Sequence, residues 1–405
     1  LPLPSPALKV FAMRVLVLSH TYIVDLNCEK LRALAHLSPD ITVRVGVPRR
    51  WSPGGVQNRL IESQGWEDGN FRLVPLGNFS QNHQGLLGFG PDLVTLMREF
   101  RPQVIQVEQG AKSLAYTQTI TLNRLLGLNA KNVFFTWWNL PYALKFPVSW
   151  LESYNLRHTD GLVAGNQDGA DVLRQRGYQG PYRVMPQLGV DETRFFPQSQ
   201  PDLAQQLNIP EDTFVVGFVG RFVAEKGLLT LCDALASLKD HPQPWVLLLL
   251  GRGDLKDTLQ ANVAAAGLSD QVRWVESVPH ADVPSYINLM DTLVLPSETT
   301  YQFKTLTSVG WKEQFGHVLI EAMACAVPVI GSDSGEIPHV IQDAGLVFPE
   351  GNAAALADRL RLLLENPSQR QTLAERGYSR AITHYTNTAL AKELLAFYQD
   401  LGVNP

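Results

Sequence analysis

WKEQFGHVLIEAMACAVPVIGSD, residues 311–333, places two glutamates, Glu313 and Glu321, eight positions apart. Between them Gln314-Phe315-Gly316-His317 reads as a turn. Val318, Ala322 and Cys325 then recur at helical spacing. Val327-Pro328-Val329-Ile330 reads as a short buried strand, closed by Gly331-Ser332-Asp333. The expected order is loop, helix, strand, loop, with Glu313 ahead of the helix and Glu321 about two turns into it. A helix opening after Gly316 offers unpaired N–H groups and a positive dipole end, where a phosphate can sit. Two carboxylates bracketing that seat suit a ligand with a diphosphate in its middle and hydroxyls at both ends.

The surrounding chain is long enough for two domains: 405 residues, 45% hydrophobic and 18% charged. A net charge of −5 argues against general nucleic-acid binding. Cys28, Cys232 and Cys325 lie too far apart for a disulfide framework or a zinc motif, which fits a reducing cytoplasm. No apolar run approaches a membrane span, and no basic amphipathic helix stands out, so membrane contact is expected to be peripheral at most. Residues 1–12 read as a leader or expression remnant, with Met13 a plausible natural start.

Strands alternate with helical patterns along the first half, so a doubly wound parallel sheet is expected. Arg14–Ser19, Ile41–Val47, Phe71–Leu76, Val104–Glu108, Asn132–Trp137, Gly161–Asn166 and Arg183–Met185 read as its strands, and Pro48–Asn70 as a long loop. Ligands bind beyond the carboxyl ends of such strands. His20, Glu108, Trp138 and Asn139 stand at those ends and are the candidates on the acceptor side. In the second half Phe214–Val219 is a strand, followed by Gly220-Arg221, a short loop, Lys226-Gly227 and a helix. That is a phosphate-binding arrangement: Gly220 admits the backbone closely, while Arg221 and Lys226 supply charge. Trp245–Leu250 ends in Gly251-Arg252-Gly253, and Val272–Glu276 in Ser277-Val278-Pro279. Thr299–Gly310 is an insertion that either orders on ligand binding or is passive. Ala374–Leu401 reads as helical.

The segment from Glu313 to Glu321, with Phe315-Gly316 and Glu321-Ala322-Met323-Ala324, resembles the retaining glycosyltransferases of the GT-B fold, family 4. Gly220-Arg221…Glu225-Lys226-Gly227 resembles that family's diphosphate loop, and Gly189-Val190-Asp191 with Phe195 and Pro197 its exit from the first domain. The resemblance implies an α/β fold of two Rossmann-like domains facing a central cleft. Residues 13–190 would be the acceptor-side domain, 191–212 the linker and 213–380 the nucleotide-sugar donor domain. Residues 381–405 would form a helix crossing back to the first domain. A histidine that the family often carries at a strand end has no match here; Gln106, Glu108 and Trp138 stand at the corresponding positions.

The implied reaction moves a sugar from a UDP-, GDP- or ADP-linked donor to a saccharide, lipid-linked or small-molecule acceptor. Glu313, Arg221 and Lys226 are the catalytic candidates. Gly220, Gly251, Val278, Phe315, Gly316, His317, Val318 and Glu321 join them in donor binding. Glu321 would accept from the ribose hydroxyls and Glu313 from those of the donor sugar. No cofactor is implied, and no metal, since Arg221, Lys226 and the helix amides would carry the leaving diphosphate. No Asp-x-Asp motif occurs. A sugar-nucleotide epimerase, a glycoside phosphorylase and an idle nucleotide-sugar-binding subunit remain alternatives.

Overall fold

Residues 13–52, 60–304 and 309–404 are described by the structure, a computed structural model. The leader reading of residues 1–12 falls outside them. The chain forms two compact units. One comprises Leu1–Trp138, Ala143–Gly189 and Asn387–Pro405, the other Asn139–Tyr142 and Val190–Thr386.

The first unit is built on an eight-stranded sheet. Its order is Tyr182–Val184, Gly161–Ala164, Lys131–Thr136, Val104–Val107, Met13–Leu18, Ile41–Pro48, Phe71–Leu76 and Trp66–Asp68. Parallel strands covered on both faces read as continuous apolar runs, and all four residues of Val104–Val107 are buried. Val15 and Val17 point into one core with Val43 and Val45. That core is covered by the helices Glu29–His36 and Asn387–Asp400 through Leu31, Leu34, Leu390, Leu394 and Phe397. Leu16 and Leu18 point to the opposite core, with Leu93, Met97, Tyr116 and Phe134. Each such side chain contributes roughly 1.5–3 kcal/mol on burial. The terminal helix, anchored by buried Leu390, Leu394 and Phe397, is therefore an integral part of this unit.

The second unit repeats the plan with six parallel strands. Their order is Val272–Val275, Trp245–Leu250, Phe214–Val219, Thr292–Leu295, Val329–Ser332 and Leu346–Phe348. Both sheets reverse their winding beside their first strand. The reversal lies between Met13–Leu18 and Val104–Val107 in one, and between Phe214–Val219 and Thr292–Leu295 in the other. Such reversals open a crevice at the carboxyl ends of the strands.

Three local expectations are corrected. Pro48–Asn70 contains a hairpin, Arg50–Trp51 with Ile61–Glu62, and the edge strand Trp66–Asp68, which pairs antiparallel to Phe71–Leu76. The first sheet is therefore not wholly parallel; the Trp66 ring lies tilted against Phe71, centroids 4.8 Å apart, at that edge. Within the insertion at 299–310, whose residues 305–308 lie outside those described, Thr300–Lys304 pairs antiparallel with Val309–Trp311. The strand after Glu321 begins at Val329, because Ala326 turns the chain at φ 55°. The C-terminal helical pattern is two helices, Pro367–His384 and Asn387–Asp400. They part at Tyr385–Thr386, where the Tyr385 carbonyl accepts from the Val190 amide at 2.8 Å.

Candidate active site

The reversal point of the second sheet gathers side chains from three chain segments. Phe214–Val219 runs into a short turn, Ala224–Lys226, that ends at Gly227. Gly227 has φ 65°, and a Cβ there would stand 1.8 Å from the Pro296 carbonyl oxygen. Only glycine permits this approach, which brings Lys226 against the end of the neighbouring strand. From that strand end, Ser297 donates to Glu313 Oε2 at 2.7 Å. Lys226 Nζ donates to the same oxygen at 2.5 Å. Glu313 itself is 6% exposed. The Trp311 ring lies 5.1 Å from the Lys226 ammonium, a cation–π contact.

The backbone of Glu313 is fixed as firmly as its side chain. Its carbonyl accepts from Asn139 Nδ2 at 3.1 Å and from the Glu336 amide at 3.2 Å. Gly335, at φ 56°, packs on that carbonyl so closely that a Cβ would sit 1.9 Å away. Asn139, expected on the acceptor side, thus holds the Glu313 backbone within the second unit. Ser332 Oγ, from the adjacent strand, donates to the Ser297 carbonyl at 2.5 Å.

Gly316 caps the helix His317–Ala324. Phe315, just before it, is buried between His317 and Tyr385, with ring centroids at 5.1 and 5.7 Å. The first-turn amides of such a helix have no acceptor within the helix. Glu321 is the fifth residue of the helix, one turn in rather than two. Its carboxyl is largely enclosed, and burial pushes it up to about 7.

The remaining donor candidates are arranged around the same strand ends. The Gly220 amide donates to the Leu250 carbonyl at 3.0 Å and the Gly251 amide to that of Val275 at 2.9 Å, so both close adjacent strands. Val278 is half-buried in the turn beyond Val275, and Val318 is half-buried on the helix. Arg221 stands apart: its guanidinium is exposed, 3.6 Å from Glu225. Two contributors escaped the sequence reading. Ser297 lies in Pro296-Ser297-Glu298, a recognisable strand end, but nothing in the sequence assigns its hydroxyl a partner. Trp311 lay in the opening stretch itself, without a partner that its spacing could indicate.

At the reversal point of the first sheet, Glu108 is 4% exposed and fully engaged. It accepts from Tyr22 Oη at 2.5 Å, Gln106 Nε2 at 2.7 Å and Gln187 Nε2 at 2.7 Å. Tyr398, on the terminal helix, donates to Gln106 Oε1 at 2.9 Å, and the Trp137 indole donates to Gln187 Oε1 at 3.0 Å. His20 lies beside Trp51 with ring centroids at 5.0 Å, and its Nδ1 is buried without a partner. Burial lowers its pKa to about 4, so the imidazole is neutral near pH 7. Trp138 is half-buried, with Lys112 Nζ 5.1 Å from its ring.

Residues 199–380 match the family described as glycosyl transferases group 1. The α-D-kanosaminyltransferase of Streptomyces kanamyceticus is 28% identical over 260 residues, which is 63% of this chain and 64% of that enzyme. The chain thus spans less than two thirds of that relative. Sucrose-phosphate synthase from Thermosynechococcus elongatus superposes with a TM-score of 0.68 at 22% identity, over 96% of this chain and 99% of that one. Anabaena HepE in complex with UDP gives a TM-score of 0.69 at 17% identity, over 96% and 100% of the two chains. The structural likenesses establish the fold. Residues 199–380 thus resemble the glycosyl transferases group 1 family, on a chain with the GT-B fold.

Proposed function

We propose that the protein transfers a sugar from a nucleotide diphosphate sugar to a saccharide, lipid-linked or small-molecule acceptor. Retention at the anomeric carbon and independence of metal are part of this reading. The observation that carries it is the convergence of Lys226, Ser297 and Glu313 at the reversal point of the second sheet, ahead of a helix N-terminus. Charge developing on a departing diphosphate would be met by Lys226 and by the first-turn amides around His317 and Val318. Arg221, free to swing from its surface pairing with Glu225, would add a second cation. Together they supply the compensation that a divalent ion supplies elsewhere.

Glu313, held by Ser297 and Asn139 at opposite ends, would accept from donor-sugar hydroxyls. On this reading the bound donor shares Lys226 with it. Glu321 would accept from the ribose hydroxyls. A largely enclosed carboxyl with no hydrogen bond from the described residues suits that role, because ligand hydroxyls stabilise its ionised form. The nucleoside diphosphate in HepE supports a uridine donor as the first to try. The acceptor would meet the first unit, where His20, with its unpartnered Nδ1, and Trp138 are the candidate contacts. We place the protein in the cytoplasm.

A thermal-shift screen tests this reading. UDP, GDP, ADP and their hexose conjugates would be added to wild type and Glu321→Ala, with and without EDTA. One nucleotide should raise the midpoint by several degrees, insensitive to EDTA and weakened in the variant. A folded protein that no nucleotide stabilises would overturn the assignment.

A further inference from the structure

The first unit carries a surface that the donor site does not use. The chain leaves Lys131–Thr136, passes through Lys145-Phe146-Pro147, and enters the helix Val148–Arg157. Phe146 is 82% exposed, Trp150 57%, and Val148 is exposed beside them. Large apolar side chains clustered in this way mark an interaction surface. Trp150, Tyr154 and His158 follow at intervals of four. Their rings lie 5.9 Å apart for the first pair and 4.4 Å for the second, so one face of the helix is an aromatic row. Beside it lies an open groove of about 600 Å³, lined by Ser149, Trp150, Ser153, Leu156, Arg157 and Arg176.

The charge of this region runs against that of the whole chain. From Lys112 to Arg157 there are five cations, Lys112, Arg124, Lys131, Lys145 and Arg157, and one carboxylate, Glu152. Glu152 is 2% exposed and already accepts from Arg176 Nε at 2.7 Å. No carboxylate of the helix therefore reaches the surface, while Lys145 and Arg157 do. The rest of the protein is acidic enough to bring the total to −5.

We propose that Lys145–Arg157 docks on a bilayer containing anionic phospholipid. Phe146, Val148 and Trp150 would enter the headgroup boundary, where aromatic rings with a polar edge are favoured. Lys145 and Arg157 would meet the lipid phosphates, and the hydroxyl of Ser149 offers a further donor along the groove. A second copy of this chain fits the surface poorly, since a twofold contact would set these cations against themselves. No described helix is long and apolar enough to cross a membrane, so the contact lies in the interface plane. The inference does not rest on the donor site.

The test is co-sedimentation of the full chain with vesicles of phosphatidylcholine, with and without phosphatidylglycerol. Binding should require phosphatidylglycerol and weaken as salt is raised. Lys145→Glu/Arg157→Glu should reduce it at least roughly ten-fold, each cation near the surface being worth about five-fold. Phe146→Ser/Trp150→Ser should reduce it comparably. Both pairs alter exposed side chains, so an unchanged thermal midpoint would show that the fold is intact. Arg361→Glu, on the other unit, should leave binding as in wild type. Equal binding to phosphatidylcholine alone, no binding, or binding that both double variants retain would overturn the proposal. So would competition by inorganic phosphate beyond its ionic-strength effect, which would mark a simple anion site. A concentration-dependent dimer abolished by Phe146→Ser/Trp150→Ser would assign the surface to a second copy instead.

Discussion

The two units set a buried carboxylate at the same topological place and surround it differently. Glu108 and Glu313 both follow the strand next to the first in their sheets or lie beside its end, at 4% and 6% exposure. Glu108 is enclosed by three neutral donors, Tyr22, Gln106 and Gln187, from three separate stretches of chain. The terminal helix braces the set through Tyr398. Glu313 has one neutral donor, Ser297, and one cation, Lys226. The first arrangement leaves little for a ligand to engage and ties distant segments together. The second contains an ammonium that an incoming phosphate can draw on. Equivalent position in the fold thus does not give two buried carboxylates the same chemistry; their partners differ.

The sharpest way to break this comparison is to exchange each carboxylate for its amide or for alanine. Glu313→Gln keeps an acceptor for Lys226 and Ser297 but loses the charge. Sugar transfer should fall about 10²–10³-fold with little change in thermal midpoint, measured as initial rate with the donor found by screening. Glu108→Ala should do the reverse. It strands three buried donors and should cost about 3 kcal/mol of stability in urea unfolding, with nucleotide binding retained. Equal effects of the two on binding would remove the distinction.

A smaller effect is expected with pH. The Glu321 carboxyl is raised to about 7, well above an ordinary glutamate, so its ionised form is disfavoured in the folded protein. Its contribution to stability therefore declines as pH rises from the unfolded value through about 7. Ligand hydroxyls favour the ionised form, so nucleotide affinity should move oppositely. It should rise by up to about ten-fold between pH ~6 and ~8, with proton release on binding, and Glu321→Gln should flatten the profile. Calorimetry in buffers of different ionisation enthalpy would check this. The smallest effect belongs to Trp311→Leu, which removes a cation–π contact worth about 0.5–1 kcal/mol. A few-fold rise in KM with kcat nearly unchanged is the expected result.

Much of this is legible in the sequence itself. Phe71–Leu76, Phe214–Val219 and Trp245–Leu250 occur at the predicted bounds, because buried parallel strands are unbroken apolar runs between turn residues. Local spacing likewise showed Gly316 ahead of a helix and Glu321 within it. The pairing of Thr300–Lys304 with Val309–Trp311 and the antiparallel edge strand are not legible, since edge pairing relies on alternation too short to separate from loop. Contacts between distant positions were hidden altogether. Nothing in the sequence joins Lys226 to Glu313, Asn139 to the Glu313 carbonyl, or Tyr398 to Gln106. Glu108 illustrates the cost: a strand-end acid invites a ligand role, and only the three-dimensional arrangement supplies its partners.

The central claim is that the second reversal point, not the first, holds the nucleotide diphosphate. Isothermal titration of the nucleoside diphosphate selected by the screen, into wild type, Lys226→Ala and Glu108→Gln, tests it most directly. The account predicts binding to wild type and to Glu108→Gln, and at least about ten-fold weaker binding to Lys226→Ala. Full affinity in Lys226→Ala together with loss in a folded Glu108→Gln would contradict it.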